Sequence, residues 1–472
     1  MTDAVIVGGG VVGLGLGMIL ARDGHTVRVL ERDAQPIPNG PDEAWEHWDR
    51  KGVTQFRLSH FFLARYRQIL EAELPAVAAA IEKDGGLRFD PLAGIPDAIS
   101  GGFREGDERF GLLSGRRAVV ERAVASVAEE TSGLTLRRGV SVQGLLAGPE
   151  ALSGIPHVTG VKTSEGEELH ADLVIDCSGR RSALPSWLEA LGARPPAEEV
   201  EDSGFIYLAR HFRSRDGQLP FAVGPLLQSY GSISVLTLPA DNATWSVTLI
   251  ARSGDRALLG LKDTARWETV LRALPTVAHW IDGDPIEDRV VTMAKIEDRH
   301  RDLRPDGVPV ATGVVAVADA WACTNPSVGR GASIGMLHAQ TLRDTLRHTG
   351  PDAPGELSEA FAVATAESVE PWYRATLAFD RHRLAEMAAE AEGVTYEPND
   401  PAYDMTQALA VASTRDPEIL RGFLDIVGAL DLPNNVVARP GMFEKVIEFG
   451  ADWRTQQALG PNRDQLVAMA TG

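Results

Sequence analysis

Apolar residues in the first part of the chain come in short runs separated by glycine turns and by stretches of helical spacing. Residues 4–7 (Ala-Val-Ile-Val) form a continuous apolar run, which predicts a strand buried on both faces. Residues 14–23 predict a helix, and residues 27–30 predict a second strand that ends on Glu31. Residues 33–54 are rich in Pro, Gly and Trp and carry no period, so they are expected to be irregular. Helical spacing returns over 62–82 and 118–130. Residues 134–146 predict a strand, and 158–178 a hairpin turning at Glu165-Gly166 and running into the apolar strand 173–175.

From 203 to 251 the period changes to two, most clearly over 232–237 and 244–249, as in an antiparallel sheet. Residues 313–318 form another apolar strand leading into Asp319, and a helix is predicted from Ala332. Beyond Pro354 the pattern is mainly helical, with breaks at Pro398, Pro401, Pro433 and Pro440. The fold class is therefore α/β. A Rossmann-like domain is expected in three pieces (1–75, 112–185 and 300–345), with an inserted antiparallel-sheet domain (76–111 and 186–299) and a helical C-terminal region (346–472).

The length of 472 residues suits about three such units. A net charge of −20 argues against nucleic acid and anionic membrane surfaces as partners. The only cysteines, Cys177 and Cys323, make neither a disulfide framework nor a metal-ligand spacing, so free thiols in a reducing cytoplasm and no metal are expected. The N-terminus enters a strand at once, unlike a signal peptide, and no apolar run reaches the ~20 residues of a membrane span.

Two glycine motifs carry the chemistry. Gly8, Gly10 and Gly13 fit G-x-G-x-x-G between the first strand and helix, and Glu31 follows Gly13 by 18 residues. This is the pattern of a dinucleotide site: glycines for the tight turn, for close approach of a pyrophosphate and for helix packing, with a carboxylate for a ribose hydroxyl. Arg32, beside Glu31, joins the candidate cofactor residues. Far along the chain, Asp319 ends a buried strand, and Pro326, Gly329 and Gly331 shape a loop opening the helix at Ala332. That combination can hold a ribityl hydroxyl and offer backbone N–H groups to a flavin ring.

On these residues the chain resembles the FAD-dependent monooxygenases of the p-hydroxybenzoate hydroxylase type, whose G-D…P-x-x-G-x-G pattern is matched except that Ala318 replaces the leading Gly. The resemblance extends to residues 52–60 and to an arginine ahead of the third-segment helix, Arg117 or Arg116. It implies a Rossmann-like FAD-binding domain, FAD as cofactor, Arg117 on the pyrophosphate, and Gln55, Arg57 and His60 near the flavin. Arg57 and His60 are the catalytic candidates, His60 either as proton donor or as a structural histidine. The implied reaction inserts one oxygen atom of O2 into a small hydrophobic or aromatic substrate through a flavin C4a-(hydro)peroxide. Rival readings on the same scaffold are a reductase or dehydrogenase, a halogenase and a flavin-binding protein without turnover.

One departure bears on mechanism. Relatives carry an Asp-Gly pair after the strand at 173–175, where this chain has Asp176-Cys177-Ser178-Gly179-Arg180. Asp-x-Ser-Gly-Arg is similar to styrene-type epoxidases, flavin halogenases and geranylgeranyl-type reductases. Either a partner flavin reductase supplies reduced flavin, or Ser178 is a neutral replacement. The W-x-W-x-I-P segment of the halogenases is missing; Trp45 and Trp48 have a different spacing. The substrate cavity is expected against the sheet, lined by Phe221, Leu236, Trp245 and Leu249. The C-terminal helices have three open roles: capping the cavity, forming a dimer or docking a reductase. The oligomeric state is left open.

Overall fold

The computed structural model describes residues 1–456 and 459–472. Five strands form a parallel sheet in the order Val314–Ala316, Leu173–Asp176, Asp3–Val7, Thr26–Glu31, Leu134–Arg138. Both faces of this sheet are covered, which is why its strands read as unbroken apolar runs. Ala4 and Ile6 pack under the helices Val11–Arg22, Arg117–Glu129 and Gly331–His348. Val5 and Val7 face the other way, onto the antiparallel sheet of Val142–Leu152, Ile155–Thr163 and Glu168–His170. Each fully buried aliphatic side chain in these layers is worth roughly 1.5–3 kcal/mol of transfer free energy.

Two expected elements divide. The segment 62–82 is a strand end, Ser59–Phe62, followed by helices Ala64–Glu73 and Pro75–Lys83. The break falls at Leu74 because Pro75 lacks an N–H and can only begin a helix. Pro75–Lys83, expected with the substrate sheet, packs its Val77, Ala78 and Ile81 into the core under the parallel sheet. The segment 134–146 leaves the parallel sheet after Arg138, turns at Gly139 (φ 76°), and then pairs with Ile155–Thr163. Within the irregular 33–54 stretch, Pro41–Glu46 forms a short helix.

A six-stranded sheet is built from Leu227–Tyr230, Ile233–Pro239, Thr244–Arg252, Phe205–Arg213 and Asp284–Pro285, with Val291–Met293 also paired to Phe205–Arg213. One face is covered by helices Thr264–Arg272 and Arg463–Thr471, so the end of the chain returns to this sheet. Trp245 and Leu249, expected at the cavity, lie on that covered face. Alternation separates the faces of a strand, but with both faces buried it does not say which one looks at the site.

The C-terminal region continues the long helix Glu370–Ala391 with Pro401–Ala412, Pro417–Val427, Pro433–Val437 and Met442–Gly450. Asp400 and Asp416 cap two of these helices, each accepting two backbone N–H groups ahead of a proline at the first turn. No helix among the described residues is long and apolar enough to cross a membrane.

Candidate cofactor and substrate site

A cavity of about 2390 Å³ runs from the carboxyl ends of the parallel strands to the six-stranded sheet and the C-terminal helices. A drug-sized ligand needs about 300–1,000 Å³, so there is room for a dinucleotide and a second molecule. Gly8, Gly10, Gly13, Glu31 and Arg32 line one end. Gly8 sits at φ 108°, and a Cβ there would stand 2.5 Å from the Cys177 carbonyl oxygen. A Cβ at Gly13 would overlap the Gly8 carbonyl, whereas Gly10 has open space before it. The helix Val11–Arg22 has no side-chain cap, so its first N–H groups are open to the cavity end.

Glu31 is buried and held from two sides. Its Oε2 accepts from Gly9 N–H (2.9 Å) and from Arg50 (2.5 Å), and its Oε1 accepts from Asp33 N–H (2.9 Å). Sequence reasoning missed Arg50, a buried cavity residue that also pairs with Asp33 (3.3 Å) and Glu121 (3.0 Å). It lies in the stretch without period, and the charge partners around it come from two distant segments, Glu31 with Asp33 and Glu121. Arg32 lines the cavity with its guanidinium over Gly52, where a Cβ would come within 3.1 Å of it.

The second motif closes around the middle of the cavity. Ala318, standing where the family pattern has Gly, adopts φ 56°, a conformation that favours glycine. Its N–H donates to His338 Nδ1 at 3.1 Å, which holds the turn that presents Asp319. Burial pushes the Asp319 carboxyl up, with Arg180 and Arg117 opposing. Gly329 takes φ 66°, and Gly331 opens the helix Gly331–His348, which also lacks a side-chain cap. Gln55, Asp319, Pro326, Gly329, Gly331 and Ala332 all line the cavity.

Of the two arginine candidates, Arg117 lines the cavity, anchored by Glu121 at 2.7 Å. Arg116 is fully buried and bound to Asp241 at 2.6 Å. His60 also lines the cavity, and its Nδ1 lies 3.1 Å from the Leu58 carbonyl oxygen, the geometry of an N–H donor. Burial, aided by the neighbouring Arg117 charge, lowers its pKa to about 3, so the imidazole is neutral. Arg57 is not brought to the cavity. It donates to the carbonyls of Ala44 (3.4 Å) and Trp48 (2.6 Å) and lies over the rings of Trp45 and Phe56. Those two carbonyls lie on and just after the short helix Pro41–Glu46, so Arg57 ties that stretch in place.

Ser178 lines the cavity; its N–H donates to Asp176 Oδ1 at 2.9 Å and its Oγ is buried without a partner among the described residues. Tyr207, Leu236, Thr248 and Met293 of the six-stranded sheet form the far wall, with Phe221 at its edge. Trp372, Thr376 and Phe379 enter from the long helix, and Met405, Leu409, Leu424 and Leu432 from the helices after it. Tyr207 donates to Asn325 (2.6 Å), and Asp380 accepts from Asn325 (3.2 Å) and Ser327 (2.6 Å), so the glycine loop is tied to both sheet and helix.

These residues fit an extended dinucleotide carrying a flavin. Two uncapped helix N-termini and Arg117 suit phosphate and a polarised ring edge, and two carboxylates suit hydroxyl groups. The comparisons agree. Residues 1–43 match the model of the FAD binding domain, and residues 116–192 match that of tryptophan halogenase. Protein Rv3254 of Mycobacterium tuberculosis is 26% identical over 450 residues, covering 91% of this chain and 90% of that protein. OxyS anhydrotetracycline hydroxylase from Streptomyces rimosus superposes with a TM-score of 0.56 at 22% identity, over 91% of this chain and 76% of that one. PqsL of P. aeruginosa, in complex with 2-aminobenzoylacetate, gives a TM-score of 0.56 at 17% identity, over 82% and 99%.

The chain has the fold of the FAD-dependent monooxygenases. Its N-terminal unit is an FAD-binding domain, and the antiparallel sheet and C-terminal helices of this monooxygenase fold enclose the rest of the cavity.

Proposed function

We propose that the protein is an FAD-dependent monooxygenase that transfers one oxygen atom of O2 to a hydrophobic or aromatic substrate. The observation that carries this reading is the continuity of one cavity from the glycine turn, past the Pro326–Gly331 loop, into an apolar chamber. FAD, when bound, supplies the redox and oxygen chemistry. Glu31 and Arg32 would hold its adenosine end, Arg117 and the first helix its phosphates, Asp319 its ribityl chain, and the N-terminus of Gly331–His348 the ring.

The remaining work falls to this chain's own side chains. The chamber walls exclude water from the reacting atoms. His60 is a neutral hydrogen-bonding group at the cavity, with its proton on Nδ1 and Nε2 left to accept. Arg57 acts on the stretch around Pro41–Glu46 rather than on the substrate. OxyS is a hydroxylase and PqsL is seen with an aromatic keto acid, and both support a substrate of this general class. The halogenase match covers strands and the two helices Arg117–Glu129 and Leu184–Ala190, while Trp45 and Trp48 are buried as packing residues, so halogenation is not favoured.

Ser178 in place of an aspartate supports delivery of reduced flavin by a partner reductase. The two unpaired cysteines support a reducing compartment such as the cytoplasm. The test of the function is turnover with isotopic O2: one labelled atom in the product supports it, and reduction of substrate without O2 uptake overturns it. Rapid reduction of the FAD-loaded protein by NADH or NADPH alone would overturn the reductase partnership.

A further inference from the structure

Arg330, between the two glycines of the flavin loop, holds a buried charge that makes no ion pair with a carboxylate among the described residues. It is 9% exposed and lines the cavity. Nη1 donates to Thr376 Oγ1 at 3.1 Å, and the guanidinium lies 5.5 Å from the centre of the Trp372 ring. Nε is buried without a partner among the described residues, and the side-chain hydrogen bond that Arg330 makes there is the one to Thr376. The acid that acts on it is Asp380, whose Oδ1 is already engaged by Ser327 and Asn325 and whose Oδ2 is itself unpartnered. Burial raises the Asp380 carboxyl to about 7, so near neutral pH it is only part-charged. Burial lowers Arg330 to about 10, which still leaves it protonated. An anion that reached this buried guanidinium would stabilise it further.

We propose that Arg330 receives an anionic group of the substrate, a carboxylate, enolate or phenolate on an otherwise apolar body. The side chain is directed at the helix Glu370–Ala391, whose Trp372, Thr376 and Phe379 form the chamber wall. Met293 and Leu236 from the sheet and Leu424 from the C-terminal helices supply the apolar remainder. Planar guanidinium geometry suits a two-oxygen anion, and the Trp372 ring lies beside the guanidinium. A neutral analogue would leave the guanidinium charge without a counter-ion and be disfavoured for that reason.

This inference rests on the reading of the chamber as the substrate site, but binding alone tests it, so failure of oxygen transfer would leave it standing. Calorimetric titration of the FAD-loaded protein with octanoate and with 1-octanol is expected to show the acid binding about tenfold tighter or more. Arg330→Gln should abolish that preference without changing the affinity for octanol, and Arg330→Lys should keep part of it. Equal binding of acid and alcohol by the unaltered protein, or no binding of the acid, overturns the proposal without need of a variant. So does Arg330→Gln retaining the preference, or weakening FAD binding alone. Thr376→Val, which frees the guanidinium but keeps its charge, is expected to reduce the preference.

Discussion

At Asp319 a single carboxylate looks into the cavity with no hydrogen-bond partner among the described protein residues, at the end of a strand whose turn is held by His338. Its removal should therefore be felt by the cofactor far more than by the fold. Asp319→Ala is expected to weaken FAD binding about tenfold to a hundredfold, the worth of one hydrogen bond to a charged group, while the unfolding temperature of the FAD-free protein stays nearly unchanged. Flavin retained after dialysis, read by absorbance, measures it; equal retention would remove Asp319 from the site. His60 gives a second expectation at this scale. With its pKa held at about 3 by burial and by Arg117, it is neutral throughout the working range. His60→Asn should thus leave the shape of the rate–pH profile intact even if the rate falls. An ionisation near pH 6.5 that disappears in the variant would show that His60 does titrate during turnover.

Among the elements, the helix Pro417–Val427 contributes Leu420, Phe423 and Leu424 to the chamber wall. Arg421 reaches from it to Asp107 (2.5 Å) and to the carbonyls of Ser100 (2.7 Å) and Gly102 (2.9 Å), all on the loop at the edge of the cavity. Both members of the ion pair are buried, so Arg421→Ala leaves Asp107 with only the Arg104 N–H and the more distant Arg109 charge, at a cost approaching that of a broken buried pair, about 3–5 kcal/mol. The expected outcome is a large fall in unfolding temperature together with proteolytic cleavage in 97–107 or 401–450, which bound FAD reduces only in part; a variant as stable as the parent would show that the clamp does not hold the helices. Nothing in the sequence announces this clamp, because its partners lie more than 300 residues apart. The β-α-β unit was legible for the opposite reason: Gly8, Gly10, Gly13 and Glu31 answer to sterics and hydrogen bonds within 31 residues. The glycine loop after Asp319 was legible in the same way. Arg50 was not, since its role depends on Glu31, Asp33 and Glu121 meeting in space, and neither was the orientation of Trp245 and Leu249, whose strand is buried on both faces.

Over the whole molecule, buried ionisable groups pull stability in two directions as pH falls. Asp380 and Asp298 are raised by burial to about 7 and about 6, so their contribution is present at low pH and is lost as pH rises through those values. His338 is lowered by burial to about 3 from an ordinary 6.5, and the sign reverses. Above pH 6.5 its imidazole is neutral in both states. Below that the unfolded chain takes up a proton the folded chain refuses, so stability is lost as pH falls from 6.5 towards 3. Its Nδ1 accepts from Ala318 and its Nε2 lies 3.1 Å from Thr365 Oγ1, so it also has a packing role that a substitution removes at every pH. His338→Asn should accordingly be less stable than the parent at pH 7, and the gap should narrow on acidification by about 1.4 kcal/mol per pH unit once the pH is well below 6.5. Urea unfolding of the FAD-free protein at pH 7, 6, 5 and 4.5 measures that gap. A gap that stays constant would mean that His338 gains its proton in the folded protein as readily as in the unfolded chain, and the dry packing of His338 between Phe361 and Trp321 would have to be abandoned.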